Sequence, residues 1–127
     1  MSIRPELDAS YAEAVAIADR ARAWFDGPGL AWRATLSPDD QAAVAVATLA
    51  MTARLLGAIA WLLDPAVAEG EAPPLRIDPG VPPPAVLAVT PGGAIVTESR
   101  ALAARLLALA QPRGPALSAS YVGVWRA

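Results

Sequence analysis

The chain of 127 residues contains no cysteine, no histidine and no lysine, because all ten of its basic residues are arginines. The lack of cysteine excludes disulfides, thiolate nucleophiles and thiolate metal sites. The lack of histidine removes the commonest general base and transition-metal ligand. The lack of lysine excludes Schiff-base chemistry and a phosphate-loop lysine. These absences exclude most enzyme mechanisms for this chain acting alone, and we expect no cofactor and no metal.

The charge is nearly balanced, with twelve acidic residues and a formal net charge of −2. A nucleic-acid-binding protein needs basic residues clustered on one face. Here the arginines are scattered from Arg4 to Arg126, so we expect no nucleic-acid partner. The sequence has no basic, apolar N-terminal segment with a small-residue cleavage site, and we therefore expect a cytoplasmic protein.

Helical spacing is clear in three segments, and it predicts helices over about residues 4–25, 38–64 and 94–110. In the first segment, apolar or small residues recur every three or four positions from Leu7 to Phe25. The second begins at Ser37-Pro38 with Asp39 and Asp40 in its first turn, which indicates capping and a favourable dipole interaction rather than a metal or acid–base pair. The apolar positions of the third are Ile95, Leu102, Leu106 and Leu109.

The segments between the helices are rich in glycine and proline. Asp26 precedes Gly27-Pro28-Gly29, which predicts a turn followed by a connection over residues 30–36. Prolines interrupt residues 64–93 and exclude a long helix there. We expect an extended connection with a short helical turn at 66–69. A hairpin of residues 86–89 and 94–96 is the alternative.

The central segment, residues 41–63, contains one charged residue, Arg54. It is long enough to cross a bilayer, but an arginine near the middle costs about 2.5–3.5 kcal/mol on insertion scales. We therefore predict a buried central helix and no membrane partner. Arg54 is expected to pair with an acid such as Asp19 or Glu98, because an unpaired buried charge is expensive. Display on the surface and contact with a partner are the alternatives.

The predicted fold class is all-α: a three-helix bundle over residues 1–111, with a proline-rich connection before its last helix, followed by a flexible C-terminal tail over 112–127. The central helix is longer than its neighbours, which predicts an uncovered surface and self-association.

The aromatic residues divide into two groups. Trp24, Trp32 and Trp61 are expected to pack between helices, with contact to a partner as the alternative. Tyr121 and Trp125 lie beyond the bundle, where aromatic side chains are typical binding anchors. Folding back onto the bundle is the other interpretation of these two residues. The candidate partner-binding residues are Tyr121, Trp125, Arg54 and Trp61.

The order of four segments resembles the DUF1465 family. These segments are WFDGPG (Trp24–Gly29), TLAMTARLLGAIAWLL (Thr48–Leu63), AVAEGE (Ala66–Glu71) and TESRALAARLLAL (Thr97–Leu109). The best-known members are alphaproteobacterial regulators of CtrA degradation. The family's central helix carries a Ser-Met-Arg-Leu-Thr-Thr-Arg-Leu-Met motif that runs on to Trp-Leu-Leu. Relative to this motif, Ala50 replaces an arginine and Gly57 a glutamine.

The resemblance implies a homodimeric three-helix bundle without catalytic activity. It further implies an adaptor that helps a ClpXP-type protease receive cell-cycle regulators. The alternative function is a small-molecule-binding or uncharacterised dimeric bundle without a protease role, which a cleft lined by arginine and carboxylate groups would favour.

Overall fold

The computed structural model describes residues 3–71 and 74–111, and within these ranges it contains helices and no strand. The helices are α1 (Arg4–Phe25), α2 (Pro28–Ala34), α3 (Pro38–Leu63), α4 (Pro65–Ala68), α5 (Ala85–Ala88) and α6 (Pro91–Ala110). The predicted all-α fold is confirmed. The predicted tail over 112–127, with Tyr121 and Trp125, lies outside the described residues.

The three long helices α1, α3 and α6 contact one another pairwise and form the bundle. Each contributes apolar side chains to a single core, which removes their surface from water. Representative buried residues are Leu7, Ala14 and Ile17 of α1, Val44, Met51 and Leu55 of α3, and Ile95, Leu102 and Leu106 of α6. Exposed ion pairs, Arg20 with Glu98 and Arg105 with Glu13, also join α1 to α6.

Side-chain caps followed by proline begin α3 and α4, and α3 starts where the sequence predicts it. Ser37 precedes Pro38, the first residue of α3. Its hydroxyl accepts a hydrogen bond from the Asp40 backbone N–H at 3.2 Å. The carboxylate of Asp64 accepts from the Ala66 N–H at 2.9 Å and starts α4. These caps satisfy N–H groups that have no partner within the helix.

One predicted connection is wrong, because residues 28–34 form α2 rather than an irregular link. The glycines do end α1, but Pro28 then occupies the first turn of a new helix, where its missing N–H costs nothing. The ring of Trp24 packs against that of Trp32 at a centroid distance of 5.5 Å. This aromatic contact explains why so short a helix is held in place.

The last helix begins at Pro91, three residues before the predicted start, and the hairpin alternative is wrong because residues 85–88 are helical. Two glycines in the first turn of α6 allow Trp24 and the α5 turn to pack closely against this helix. A Cβ atom on Gly92 would lie 2.5 Å from the Trp24 ring, and one on Gly93 would lie 2.5 Å from the Leu87 carbonyl oxygen. These glycines therefore serve helix packing here rather than helix termination.

Candidate protein-interaction surfaces

Helix α3 carries apolar side chains on the face that points away from the core. Six exposed positions follow one another at alternating steps of three and four residues, and we call them the apolar stripe: Val46, Leu49, Ala53, Leu56, Ala60 and Leu63. The four large side chains are between 61% and 70% exposed. A 3-4 spacing places all six along one side of a helix, as in the seam of a coiled coil.

The apolar stripe shows that the predicted burial of the central helix applies to one side of it. The core-facing residues of α3, including Val44, Met51 and Leu55, cover one side of the helix only. The uncovered surface runs along the helix instead of lying at one end. Among the described residues, α3 is also the one helix whose length and composition would allow it to cross a membrane. The structure therefore presents an apolar surface that a monomer leaves in contact with solvent.

Arg54 lies on α3 beside the core and is 5% exposed. Its Nε donates a hydrogen bond to the Asp78 carbonyl oxygen at 2.8 Å, and its Nη1 donates to the Ser99 hydroxyl oxygen at 2.8 Å. The Ser99 hydroxyl in turn donates to the Val96 carbonyl oxygen. Arg54 thus joins α3 both to α6 and to the proline-rich connection.

The predicted ion pair of Arg54 with Asp19 or Glu98 is wrong. Asp19 pairs with Arg22 within α1, and Glu98 pairs with Arg20 across the α1–α6 interface. Spacing along the helices does not reveal that the connection brings a backbone carbonyl to Arg54. Neutral acceptors therefore bind this cation directly.

The turn that reaches Arg54 has its own sequence signature, Asp78-Pro79-Gly80. The Asp78 carboxylate accepts from the Gly80 N–H at 2.7 Å, and Gly80 has φ +72°, a left-handed conformation that favours glycine. Arg100 of α6 donates to the Pro79 carbonyl oxygen at 3.1 Å. Two guanidinium groups therefore hold one turn by its backbone. The Asp-Pro-Gly sequence could have predicted the turn, but not what it contacts.

The electrostatics of Arg54 follow from this arrangement. Burial is the main cause that lowers the pKa of Arg54, and the nearby Arg100 guanidinium lowers it further. The charge of Asp78 acts in the opposite direction. The positive charge on this side of α3 is thus only partly compensated by the protein.

A groove runs between α3 and the proline-rich connection. Its larger cavity, about 490 Å³, lies between residues 43–50 of α3, residues 81–84 of the connection and Val96. A smaller cavity of about 220 Å³ adjoins it, lined by Arg54, Arg76 and Asp78 among others. Ala50, Arg54, Asp78 and Gly80 line both cavities. The groove thus has an apolar part and a charged part.

The tryptophans within the described residues pack internally. Trp61 is 7% exposed and belongs to the core, while Trp24 lies edge-on to Phe25 at 4.9 Å between ring centroids. The packing interpretation is confirmed for these two residues and for Trp32, which is partly buried against the core. Trp61 therefore offers a partner little surface in the folded chain.

Comparison with known families adds one finding. A family model described as a protein of unknown function, DUF1465, matches residues 2–78. The chain belongs to the DUF1465 family. No curated protein and no solved structure matches the chain.

The DUF1465 match includes the whole of α1 to α4 and the connection as far as Asp78. The apolar stripe and Arg54 therefore lie within the part of the chain that the family match covers. Helix α6, with Ser99 and Arg100, lies beyond it. The central-helix segment that resembles the family, residues 48–63, also carries most of the apolar stripe.

Proposed function

We propose that this DUF1465 protein is a cytoplasmic, non-catalytic adaptor that works as a homodimer and helps a ClpXP-type protease receive cell-cycle regulators. The observation that carries the proposal is the apolar stripe of α3. An exposed, continuous apolar surface of this kind is typical of protein–protein contact. The protease role is supported by the resemblance of residues 48–63 to the regulators of CtrA degradation.

The side-chain sizes in the apolar stripe favour a particular dimer. Large and small residues alternate over most of it, so two identical helices packed in parallel would place alanine against alanine and leave a gap in the interface. An antiparallel pair with twofold symmetry places a large residue opposite each alanine. The facing pairs are then Leu49 with Ala60, Leu56 with Ala53, and Val46 with Leu63.

Charge favours the same orientation. Asp39 and Asp40 lie at the start of α3, so a parallel pair would bring four carboxylates together at one end. An antiparallel pair separates them and aligns the helix dipoles favourably. The first experiment measures mass in solution by light scattering for the wild type, Leu56→Glu and Leu30→Glu. Leu30 is 54% exposed on α2, outside the apolar stripe, and is the matched control.

We expect a dimer for the wild type and Leu30→Glu, and a monomer for Leu56→Glu, since a buried unpaired charge opposes association. A wild-type monomer at high protein concentration, or need of a detergent for solubility, would contradict the dimer. Orientation is tested by mixing Leu49→Cys and Ala60→Cys chains under mild oxidation. Because the chain has no native cysteine, any disulfide joins two introduced residues. The antiparallel pair predicts disulfides between the two variants. A parallel pair predicts disulfides within each variant alone.

The adaptor role has its own test in the native cell. We expect cell-cycle regulators that ClpXP degrades to have longer half-lives in cells lacking this protein. Wild type and Leu30→Glu should restore rapid degradation, whereas Leu56→Glu should not. Unchanged half-lives on deletion would refute the protease role. The dimer is tested separately, by the mass from light scattering.

A further inference from the structure

The groove between α3 and the proline-rich connection combines an apolar part with a positive charge that the protein compensates only partly. We propose that it binds a small carboxylate with a hydrocarbon tail, of the size of a medium-chain fatty acid. The carboxylate lies towards Arg54 and Arg76, and the tail lies along residues 43–50 of α3. The groove shares Val46 and Ala53 with the apolar stripe, but the inference does not depend on the adaptor role.

The groove has the size and shape of a small-molecule site. Its larger cavity of about 490 Å³ falls within the roughly 300–1,000 Å³ of typical ligand pockets. The residues that line it from Ala43 to Arg54 extend over about 16 Å at 1.5 Å per helical residue, which suits an extended chain rather than a compact ring.

The far wall of the groove is held in place without a ligand. Pro82, Pro83 and Pro84 restrict the backbone of the connection. The preceding turn is bound by Arg54 and Arg100 through the Asp78 and Pro79 carbonyl oxygens. A wall fixed in this way lowers the entropic cost of ordering a ligand.

The charged part of the groove favours an anion. Arg54 and Arg76 line the smaller cavity with one carboxylate, Asp78, and Arg100 lies close enough to repel the Arg54 charge. The Asp78 carboxylate is itself engaged by the Gly80 N–H. The acids Asp19 and Glu98 pair elsewhere. A carboxylate in this part of the groove would add the missing negative charge and could accept hydrogen bonds from guanidinium groups.

The apolar part of the groove favours a hydrocarbon over a peptide. Along residues 43–50 and 81–84, the side chains that line the larger cavity are alanine, valine and proline. Prolines carry no N–H, and the N–H groups inside α3 are used within the helix. A peptide's amides would remain without hydrogen-bond partners there, which costs free energy that a hydrocarbon chain avoids.

The test is titration of the purified full chain with decanoate, decanol and decylamine, each below its micelle-forming concentration, followed by calorimetry. We expect saturable binding of one decanoate per chain, with decanol at least tenfold weaker and decylamine weaker still. Ala47→Phe fills the apolar part and should weaken decanoate binding at least tenfold. Ala104→Phe, at an exposed position of α6, is the matched control and should bind within twofold of the wild type.

A second variant, Arg76→Glu, tests the proposal even if Ala47→Phe fails to fold. Arg76 is exposed, so Arg76→Glu should leave the helical circular dichroism unchanged while it weakens decanoate binding and spares decanol. Equal binding of decanoate and decylamine would overturn the proposal, as would full decanoate affinity in both Ala47→Phe and Arg76→Glu. Loss of binding in Leu56→Glu with Ala47→Phe unaffected would place the ligand on the apolar stripe and also overturn it.

Discussion

Removal of the Arg54 guanidinium by Arg54→Met should destabilise the fold by about 2–4 kcal/mol. The change breaks two hydrogen bonds from a charged donor, to the Asp78 carbonyl and the Ser99 hydroxyl. Hydrogen bonds to charged groups contribute about 1.5–3 kcal/mol each. Part of that loss is offset because a buried cation no longer has to be desolvated, as the lowered pKa of Arg54 indicates.

The assay is urea unfolding and thermal melting followed by circular dichroism, at one fixed protein concentration because self-association shifts apparent stability. For a chain between the 60–100-residue and 150–250-residue classes, each 1 kcal/mol lowers the melting temperature by about 4 °C, so Arg54→Met should lower it by roughly 8–16 °C. Ser99→Ala removes one acceptor and should cost about half as much. Arg100→Met breaks one well-formed hydrogen bond to the same turn and should cost only about 1 kcal/mol, because Arg100 is partly exposed and water weakens its interaction.

Two outcomes would refute this reasoning. An Arg54→Met protein that melts within two or three degrees of the wild type would mean that the hydrogen bonds only balance the cost of burial. A Ser99→Ala protein less stable than Arg54→Met would mean that Ser99 stabilises the bundle independently of the arginine.

The remaining predictions concern helix packing and charge. Gly93→Ala should destabilise by more than 1 kcal/mol, because a Cβ there meets backbone atoms of the α5 turn at 2.5–2.6 Å. Gly57→Ala should cost less, because its Cβ meets one side-chain methyl group, Ile77 Cγ2, rather than backbone atoms; equal losses in the two variants would contradict this. The hydrogen bond from Arg20 lowers the pKa of Glu98, so the pair should stabilise fully above about pH 4.3 and lose its contribution as pH falls through the lowered pKa. The stability gap between wild type and Glu98→Gln should therefore shrink on acidification and stay under about 1 kcal/mol throughout, because both side chains are about half exposed.

The long helices could be predicted because their signals are local. Ser37-Pro38 and the apolar spacing from Leu7 to Phe25 specify where α3 starts and which side of α1 is buried, and the structure agrees at both places. Local signals failed where a tertiary contact decided the conformation. Glycine disfavours helices, yet Gly92 lies in the first turn of α6, where the Trp24 ring occupies the space that a Cβ would need.

The candidate site shows the same limit. The exposed apolar stripe is readable from its 3-4 spacing, but an apolar helix does not reveal which of its sides a neighbour covers. The partners of Arg54 depend on the path of a connection with no periodic pattern. The pairing of Glu98 with Arg20 instead of Arg54 depends on how α1 and α6 are aligned, which no single helix encodes.

The anchoring of the connection through carbonyl oxygens affects how the protein can diverge. Every amino acid supplies a carbonyl, so substitutions at positions such as 79 or 81 leave intact the acceptors that Arg54 and Arg100 use. The side chain matters at Asp78, whose carboxylate accepts from the Gly80 N–H, and at Gly80, where the backbone is left-handed and an added Cβ would collide with the Arg54 Nη2 atom. The wall of the groove can therefore change its chemistry among relatives while its course over the bundle is preserved.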